Sequence, residues 1–385
     1  IQCTNPCGEQ ALPAYGACLL GSINLTKFVA SPFTKEATIR YRALGETIYA
    51  AIHMMDNVID VSNYPLEEQR LEAIAKRRIG LGVTGLADLL IMLGITYGSD
   101  EAVEITERVM QFIAYTSYMK SIALSKEKGS FPLFDADKFL HTDSFAKKLC
   151  NIYPDLEGLI RQYGMRNGLT TSIAPTGTIS LFAGNVSSGI EPVFAYSYQR
   201  KVTQKDGTKV TETVEDAVLS LYKQYLKDNF IEEEYEEEEI KLPSYFVSAQ
   251  NLPPIAHIKM QAAAQKWIDN SISKTVNCPE DISFEDFQEV YMQAWEMGCK
   301  GCTTFRPNEI TGSVLSIEPT KESVELSSNK PLNPRPQVLD SKSYKLKFGN
   351  DQHAMYITIS NIEEDGVVRP YEMFINSKNM DHYIW

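Results

Sequence analysis

The chain has 385 residues, 43% of them hydrophobic and 23% charged, a composition typical of a globular protein with one large domain or two ordinary ones. Its formal net charge of −13 argues against general binding to nucleic-acid phosphates, so no direct nucleic-acid partner is expected. No apolar run approaches the length of about 18 residues that a membrane span needs. Seven cysteines without a visible secretory signal predict a reducing, cytoplasmic location.

Reactive side chains are concentrated in the first ten residues. Asn5, Cys7 and Glu9 place an amide, a thiol and a carboxylate at alternate positions, and in an extended segment all three would point to one face. A second thiol, Cys18, follows shortly afterwards. A single buried cysteine is usually inert, but this combination suits thiol chemistry that is assisted by a base.

The pattern NPCGEQ-x-LP-x-Y-x-x-C-x-LGSINL at residues 5–25 resembles the active-site finger loop of the catalytic subunit of ribonucleotide reductases. The resemblance extends over most of residues 1–315. It implies an α/β fold in which this chain forms the C-terminal half of a ten-stranded α/β barrel, with the finger loop at its centre.

The same resemblance implies roles for the four reactive residues. Cys7 would become a thiyl radical that takes the 3′ hydrogen of a ribonucleotide, and Glu9 would accept the proton of the 3′-hydroxyl group. Asn5 would orient the ribose hydroxyls, and Cys18 would be one of two thiols that reduce the sugar to a 2′-deoxyribonucleotide for DNA synthesis.

Several parts of the family barrel are not expected in this chain. The partner thiol of Cys18, the allosteric nucleotide site and much of the dimer face belong to the N-terminal half. We therefore expect a fragment, a processed product or one half of a split protein, inactive without an N-terminal half. The complete enzyme is expected to be a homodimer that is re-reduced by a thioredoxin or glutaredoxin-type protein.

The spacing of apolar residues predicts most helices. Helices are expected over 36–64, 67–76, 100–128, 216–228, 255–274 and 283–298. Weaker helical signals cover 135–164, where the aromatic residues are expected to pack in a core. Residues 198–215 alternate like a hairpin with its turn at 205–208, and seven glutamates in positions 232–239 predict a solvated surface segment.

A G-x-G-x-x-G pattern occupies residues 80–85. A dinucleotide fingerprint needs a buried strand before the glycines, whereas residues 75–78 read Ala-Lys-Arg-Arg, and helix rather than a second strand is predicted beyond. We therefore predict a packing loop between helices. A nicotinamide-dependent oxidoreductase remains the alternative that this pattern would support.

A second motif, PTGTIS at residues 175–180, resembles the reductase loop that holds the substrate phosphates. A helix that begins here would offer free N–H groups to an anion, but hydroxyl residues also serve as ordinary helix caps. The resemblance favours binding of a ribonucleoside di- or triphosphate. The residues are Pro175, Thr176, Gly177, Thr178, Ile179 and Ser180.

The region of Cys299 and Cys302 concerns the cofactor. A zinc site would need a second ligand pair, and the five histidines are scattered singly, so no metal site is predicted. The stretch GCKGCTTFRPN resembles the barrel strand beside the reductase active site. Reductases that receive their radical from a metal-containing small subunit carry two adjacent tyrosines there. Here Thr303, Thr304 and Phe305 stand instead, which implies adenosylcobalamin as the radical source, with the small subunit as the alternative.

The end of the chain is predicted to be a separate module. Residues 316–340, rich in Pro, Ser, Lys and Glu, are expected to link the barrel part at 1–315 to a small, truncated α+β accessory domain at 341–385. Strands are predicted at 354–361 and 367–376. A further alternative for the whole chain is a non-catalytic subunit that only completes another protein's barrel.

Overall fold

The computed structural model describes residues 1–203, 209–229, 240–307, 336–346, 355–364 and 367–377. The chain separates into two compact units, Ile1–Pro319 and Thr320–Trp385. The predicted turn at 205–208, the glutamate-rich segment and most of the predicted linker lie outside the described residues.

The first unit contains helices and short strands in alternation. Its helices are α1 (Tyr41–Val61), α2 (Glu67–Lys76), α3 (Leu86–Met92), α4 (Asp100–Lys128), α5 (Ala136–Phe139), α6 (Phe145–Ile152), α7 (Asp155–Tyr163), α8 (Gly177–Phe182), α9 (Ala217–Asn229), α10 (Pro254–Gln265) and α11 (Phe284–Glu296). Its strands are β1 (Cys3–Thr4), β2 (Ala11–Leu12), β3 (Leu19–Asn24), β4 (Val29–Ala30), β5 (Thr38–Ile39), β6 (Ile79–Thr84), β7 (Ser197–Thr203), β8 (Lys209–Glu215), β9 (Thr275–Asn277) and β10 (Thr303–Phe305).

Parallel strand segments follow one another in chain order through the first unit. β3 pairs with β6, and β9 pairs with β10, both in parallel. Isolated parallel bridges join Leu81 to Thr171 and Ile173 to Ile272, and so connect β6 with the segments between these two pairs. Helices connect the successive segments, as parallel pairing requires. This is the predicted α/β architecture, and the described residues do not form a closed barrel.

The main core lies between these parallel segments and the helices α1 and α4. The inward face of α1 repeats every three or four residues, as expected for an amphipathic helix. Its buried apolar residues are Leu44, Ile48, Ile52, Met55 and Ile59. A second cluster contains aromatic residues from the 135–164 region, which confirms their predicted packing role.

Most predicted elements are present, with three differences. α1 is shorter than 36–64 because Thr38–Ile39 pairs with β4 before the helix begins. The helix predicted over 255–274 ends at Gln265, and its last residues instead run parallel to the segment around Ile173. The glycine pattern lies in the buried strand β6 and not in a loop.

The described residues of the second unit form a three-stranded antiparallel sheet. Its strands are β11 (Asp340–Leu346), β12 (Met355–Glu364) and β13 (Val367–Ser377), in that spatial order. The two predicted strands are therefore confirmed, while β11 begins at the last residue of the predicted linker. Among the described helices of the chain, none has the length and apolar character needed to cross a membrane.

Candidate active site

The three reactive residues of the N-terminal segment lie in the tip of a β-hairpin. β1 and β2 pair antiparallel, with Cys3 opposite Leu12, and residues 5–10 connect them. The tip is a tight turn, in which Gly8 N donates to Asn5 O at 3.1 Å and Gly8 has a φ of +76°. The extended conformation expected for this segment is therefore wrong, because glycine here allows the chain to turn.

The turn nevertheless brings Asn5 and Glu9 into direct contact. Asn5 Nδ2 donates to Glu9 Oε1 at 2.6 Å, and Gln10 N donates to Asn5 Oδ1 at 3.1 Å. Glu9 is 1% exposed, and its second carboxylate oxygen, Oε2, has no hydrogen-bond partner within the described part of the chain. A buried carboxylate oxygen without a donor is available to accept a proton from a bound ligand.

The thiols of Cys7 and Cys18 differ in their surroundings. Cys7 is exposed at the hairpin tip, whereas Cys18 is half-buried immediately before β3. Burial raises the pKa of Cys18 well above its usual range; the carboxylates of Asp269 and Glu9 raise it further, while Arg78 lowers it. Cys18 is therefore a protonated thiol at neutral pH, close enough to Glu9 to be affected by its charge.

The hairpin rests on three successive parallel segments. We call Gly80, Ser172, Asn270 and Ser271 the hairpin seat. Ser271 N and Ser172 Oγ both donate to Glu9 O, at 3.1 and 2.9 Å. Sequence analysis did not identify Ser172, Asn270 and Ser271, because each lies far along the chain from the hairpin and no local motif marks it, whereas Gly80 belongs to the glycine pattern.

Gly80 explains the glycine pattern in β6. A Cβ atom at Gly80 would lie 2.6 Å from Gln10 Nε2 and 2.9 Å from Ser172 Cβ. A Cβ at Gly82 would lie 2.3 Å from the backbone oxygen of Ser172. The glycines therefore allow the hairpin and the next strand segment to approach β6 closely. They do not form a loop around a dinucleotide, which removes the basis for the nicotinamide alternative.

The motif at 175–180 forms the start of the short helix α8. Thr176, in the left-handed region with a φ of 57°, contacts Thr84 Oγ1 at 3.1 Å through its own Oγ1, which also accepts a hydrogen bond from Gly189 N at 2.7 Å. Ser180 Oγ contacts Ser188 Oγ at 3.0 Å. Two of the three predicted hydroxyl donors are therefore occupied within the protein.

The exposed part of this motif consists of Gly177, Thr178 and Ile179. The first N–H groups of an α-helix have no acceptor inside the helix. The motif can thus offer backbone N–H groups and the Thr178 hydroxyl to a ligand, while Thr176 and Ser180 shape the loop. Pro175 precedes it and is partly exposed.

The remaining cysteines and histidines that the structure describes are not gathered into a metal centre. Within the described ranges, no group of three or more His, Cys, Asp or Glu side chains could hold a metal ion. Cys299 and Cys302 pack beside a small apolar cluster, and burial raises the pKa of Cys299 to about 11. His257 is buried, and burial together with Lys274 lowers its pKa to about 3.

Strand β10 carries Thr303, Thr304 and Phe305. The side chains of Thr303 and Phe305 are exposed, and Thr304 Oγ1 contacts the hydroxyl of Tyr291, on α11, at 2.9 Å. The strand itself contains no tyrosine.

Comparison with known proteins identifies the family of the chain. A family profile described as "Ribonucleotide reductase, barrel domain" matches residues 1–305. The chain belongs to this family. It is 39% identical over 326 residues to a vitamin B12-dependent ribonucleoside-diphosphate reductase of Thermoplasma acidophilum, covering 82% of this chain and 39% of that protein.

Two further relatives show the same range of similarity. A vitamin B12-dependent ribonucleoside-diphosphate reductase of Mycobacterium tuberculosis is 36% identical over 329 residues, 83% of this chain and 43% of the relative. A ribonucleoside-diphosphate reductase subunit alpha of Chlamydia pneumoniae is 30% identical over 331 residues, 78% of this chain and 31% of the relative. The chain thus spans about two fifths or less of the length of these relatives.

Proposed function

We propose that this reductase-family chain supplies the reaction centre for radical reduction of ribonucleoside diphosphates to 2′-deoxyribonucleoside diphosphates. The observation that carries the proposal is the hairpin tip, where Asn5 and the buried carboxylate of Glu9 form a hydrogen bond, each two residues from the exposed thiol of Cys7. The named B12-dependent relatives support the diphosphate as substrate.

In the proposed reaction, the Cys7 sulfur radical takes the 3′ hydrogen atom of the ribose, and Glu9 Oε2 accepts the proton of the 3′-hydroxyl. The 2′-hydroxyl takes a proton from the pair formed by Cys18 and a partner thiol and leaves as water. The pair also supplies two electrons and the hydrogen that the 2′ carbon gains, and it becomes a disulfide. Glu9 returns its proton to the 3′ oxygen, and Cys7 returns the hydrogen atom to the 3′ carbon. The raised pKa of Cys18 favours this role, because the protonated thiol carries the hydrogen that reduction consumes.

The proposed phosphate site is the exposed start of α8. Gly177, Thr178 and Ile179 would donate backbone N–H groups, and Thr178 would add its hydroxyl. Thr176 and Ser180 would hold the loop through the contacts described above. Helix N-terminal N–H groups are suited to phosphate oxygens because they carry partial positive charge.

The proposed cofactor is adenosylcobalamin. Strand β10 carries Thr303, Thr304 and Phe305 and has no tyrosine hydroxyl through which a radical from a metal-containing small subunit could pass. This composition favours adenosylcobalamin as the radical source. Residues of β10 would contact the cofactor, which would supply the radical chemistry that activates Cys7. The residues of this chain hold the thiol, the base and the substrate around it.

We propose that the complete enzyme needs a further polypeptide segment, which is not part of this sequence. The partner thiol of Cys18, a homodimer contact and an N-terminal half-barrel are expected there, and a thioredoxin or glutaredoxin-type protein would re-reduce the disulfide. β3 and β10 each pair with one neighbour within the described ranges, which leaves edges for further strands. A cytoplasmic location is proposed with these partners.

The test is anaerobic single-turnover reduction of a ribonucleoside diphosphate by the pre-reduced chain, with and without the N-terminal part of a B12-dependent relative. Each mixture is assayed with adenosylcobalamin, with a metal-containing small subunit or with neither. We expect deoxynucleotide to form only when both adenosylcobalamin and the added N-terminal part are present. Product only with the small subunit would contradict the cofactor assignment, and no product in any mixture would favour the non-catalytic complementing subunit.

A further inference from the structure

The hairpin that bears Cys7 is anchored by a residue 260 positions away from Gln10. We propose that Asn270 is a positioning residue for the Cys7 hairpin and that Lys300 holds Asn270 in place. The role assigned to the hairpin rests on the proposed function, whereas the contacts themselves can be tested in this chain alone.

Asn270 uses both ends of its side-chain amide on the hairpin. Its Oδ1 accepts from Ala11 N at 3.2 Å, and its Nδ2 donates to Gln10 Oε1. Asn270 is 5% exposed and Gln10 is 1% exposed, so water does not readily replace either contact. An amide is the side chain that can accept from a backbone N–H and donate to a carbonyl oxygen at once.

The backbone of the same segment is held from the opposite side by Lys300. Lys300 Nζ donates to Asn270 O at 2.6 Å and Asp269 O at 2.9 Å, and it lies 3.5 Å from Ile268 O. Three carbonyl oxygens that converge on one ammonium group fix the turn that leads from α10 to Asn270. Gln265 Nε2 adds a further donor to Asn270 O at 3.2 Å.

Asp269 joins this turn to the neighbouring strand segment. Its Oδ2 accepts from Thr170 N at 2.7 Å and Thr170 Oγ1 at 2.9 Å, while its Oδ1 accepts from Thr171 N at 2.9 Å. Thr171 Oγ1 accepts from Asp269 N at 3.0 Å. Asn270 therefore lies in a segment that these hydrogen bonds hold rigidly, and its contacts with the hairpin fix the position of the hairpin relative to that segment.

The position of the hairpin decides where Glu9 and Cys7 lie. Ser271 N and Ser172 Oγ hold the backbone oxygen of Glu9, and Asn270 holds the two residues that follow it. Since hydrogen transfer requires the reacting atoms to be held within a narrow range of distance and angle, loss of the amide anchor would misplace the thiol without removing it.

The test is hydrogen–deuterium exchange of residues 2–12 in the full chain, together with the alkylation rate of Cys7. Asn270→Ala is expected to raise exchange of the Ala11 amide about tenfold, the effect of one lost buried hydrogen bond. Asn167→Ala is the matched control, because Asn167 is another buried asparagine with side-chain bonds at 3.1 Å to Asp56 and 3.2 Å to Arg77 O. Asn167→Ala should lower the midpoint of unfolding. It should not accelerate exchange of the hairpin amides beyond the acceleration that the loss of global stability produces throughout the chain.

Lys300 provides a second variant, since its side chain is largely exposed and its replacement should not prevent folding. Lys300→Met is expected to raise exchange at Ala11 and at residues 268–271, and Lys300→Arg is expected to restore most of the protection. Gln10→Ala combined with Asn270→Ala should raise exchange no further than Asn270→Ala alone, because Asn270→Ala already removes the contact with Gln10.

Unchanged hairpin exchange in both Asn270→Ala and Lys300→Met would overturn the proposal. The proposal would also be overturned if Asn167→Ala accelerated hairpin exchange as much as Asn270→Ala does at the same loss of global stability. In the reconstituted enzyme, Asn270→Ala should lower kcat at least tenfold with little change in the KM for substrate. If the proposed reductase function is wrong, no variant is active, yet the exchange measurements still decide whether Asn270 positions the hairpin.

Discussion

A buried ammonium group holds together two segments that both follow the phosphate motif in the chain. Lys274 is fully buried, and its Nζ donates to Glu191 Oε2 at 2.6 Å and His257 Nδ1 at 3.0 Å. Glu191 Oε1 accepts from Thr275 N at 2.6 Å, so this carboxylate ties the chain after the motif to β9. The low pKa of His257 keeps its ring neutral, which lets Nδ1 accept from the lysine.

Lys274→Met is expected to lower the free energy of unfolding by about 3 to 5 kcal/mol, because it leaves the carboxylate of Glu191 without its partner. Lys266→Met is the matched change, since Lys266 also pairs with a glutamate, Glu107, but is 58% exposed. Its expected cost is below about 1 kcal/mol. Urea unfolding of both variants checks the difference, and equal costs would contradict the structural role of Lys274.

Two buried carboxyl groups make stability depend on pH. Burial raises the pKa of Asp88 from 3.8 to about 7, although its Oδ2 accepts a hydrogen bond from Ser187 N at 2.9 Å. Burial and the charge of Asp88 also raise the pKa of Asp216. The fold therefore favours both protonated acids, and the contribution of Asp88 to stability is complete below about pH 4 and lost as the pH rises through about 7.

Asp88→Asn should remove much of this dependence, because an amide does not titrate. The change in unfolding free energy between pH 4 and 7 should shrink by about 4 kcal/mol at most. Asp100→Asn, at a side chain that is 99% exposed, should leave the pH profile as it is. The profile is measured by urea unfolding at several pH values, and an unchanged slope in Asp88→Asn would show that this carboxyl is ionised in the fold.

At the scale of single residues, sequence predicts what lies in one short stretch. Asn5, Cys7 and Glu9 stand within five positions, so their chemistry could be recognised together. Asn270 and Lys300 could not be recognised, because an asparagine and a lysine are common residue types and their contacts appear only when distant segments meet.

At the scale of elements, helical periodicity predicted well and short parallel strands did not. α4 ends at Lys128 with Gly129 after it, as the sequence indicated. The residues after α10 were predicted as helix, because their apolar residues Ile268 and Ile272 also fit a helical spacing. Tertiary contacts, such as those of Asn270 and Asp269, decide the conformation there.

Gly80→Ala tests the close approach of the hairpin to β6. The added methyl would overlap Gln10 Nε2 and Leu20 Cδ2, which lie 2.6 and 2.8 Å from the Cβ position, so a loss of about 1 to 3 kcal/mol is expected. Gly158→Ala is the control, since Gly158 lies within α7 with no atom within 4 Å of its Cβ position. That change should stabilise the chain by about 0.5 to 1 kcal/mol.

Thermal and urea unfolding measure both glycine variants. Faster hydrogen exchange of the hairpin in Gly80→Ala alone would locate the strain at the seat. Equal stability of the two variants would mean that the hairpin does not approach β6 as described.

At the scale of the whole molecule, the described parallel segments follow chain order, as a half-barrel would require. This arrangement could not be predicted directly from the sequence, since periodicity cannot show which strands pair. The half-barrel was predicted from the family resemblance, which begins at the sequence of the hairpin. The free edges of β3 and β10 indicate where further strands would pair, and this agrees with a chain that covers 39% of its Thermoplasma relative.

The most direct test of the central claim compares two thiols of the same hairpin. Cys7→Ser and Cys3→Ser are assayed for single-turnover deoxynucleotide formation with adenosylcobalamin and the N-terminal part of a relative. Both cysteines are exposed, but only Cys7 lies in the tip beside the Asn5–Glu9 pair. Loss of product in Cys7→Ser with normal product in Cys3→Ser is predicted, whereas product from Cys7→Ser at the wild-type level would contradict the account.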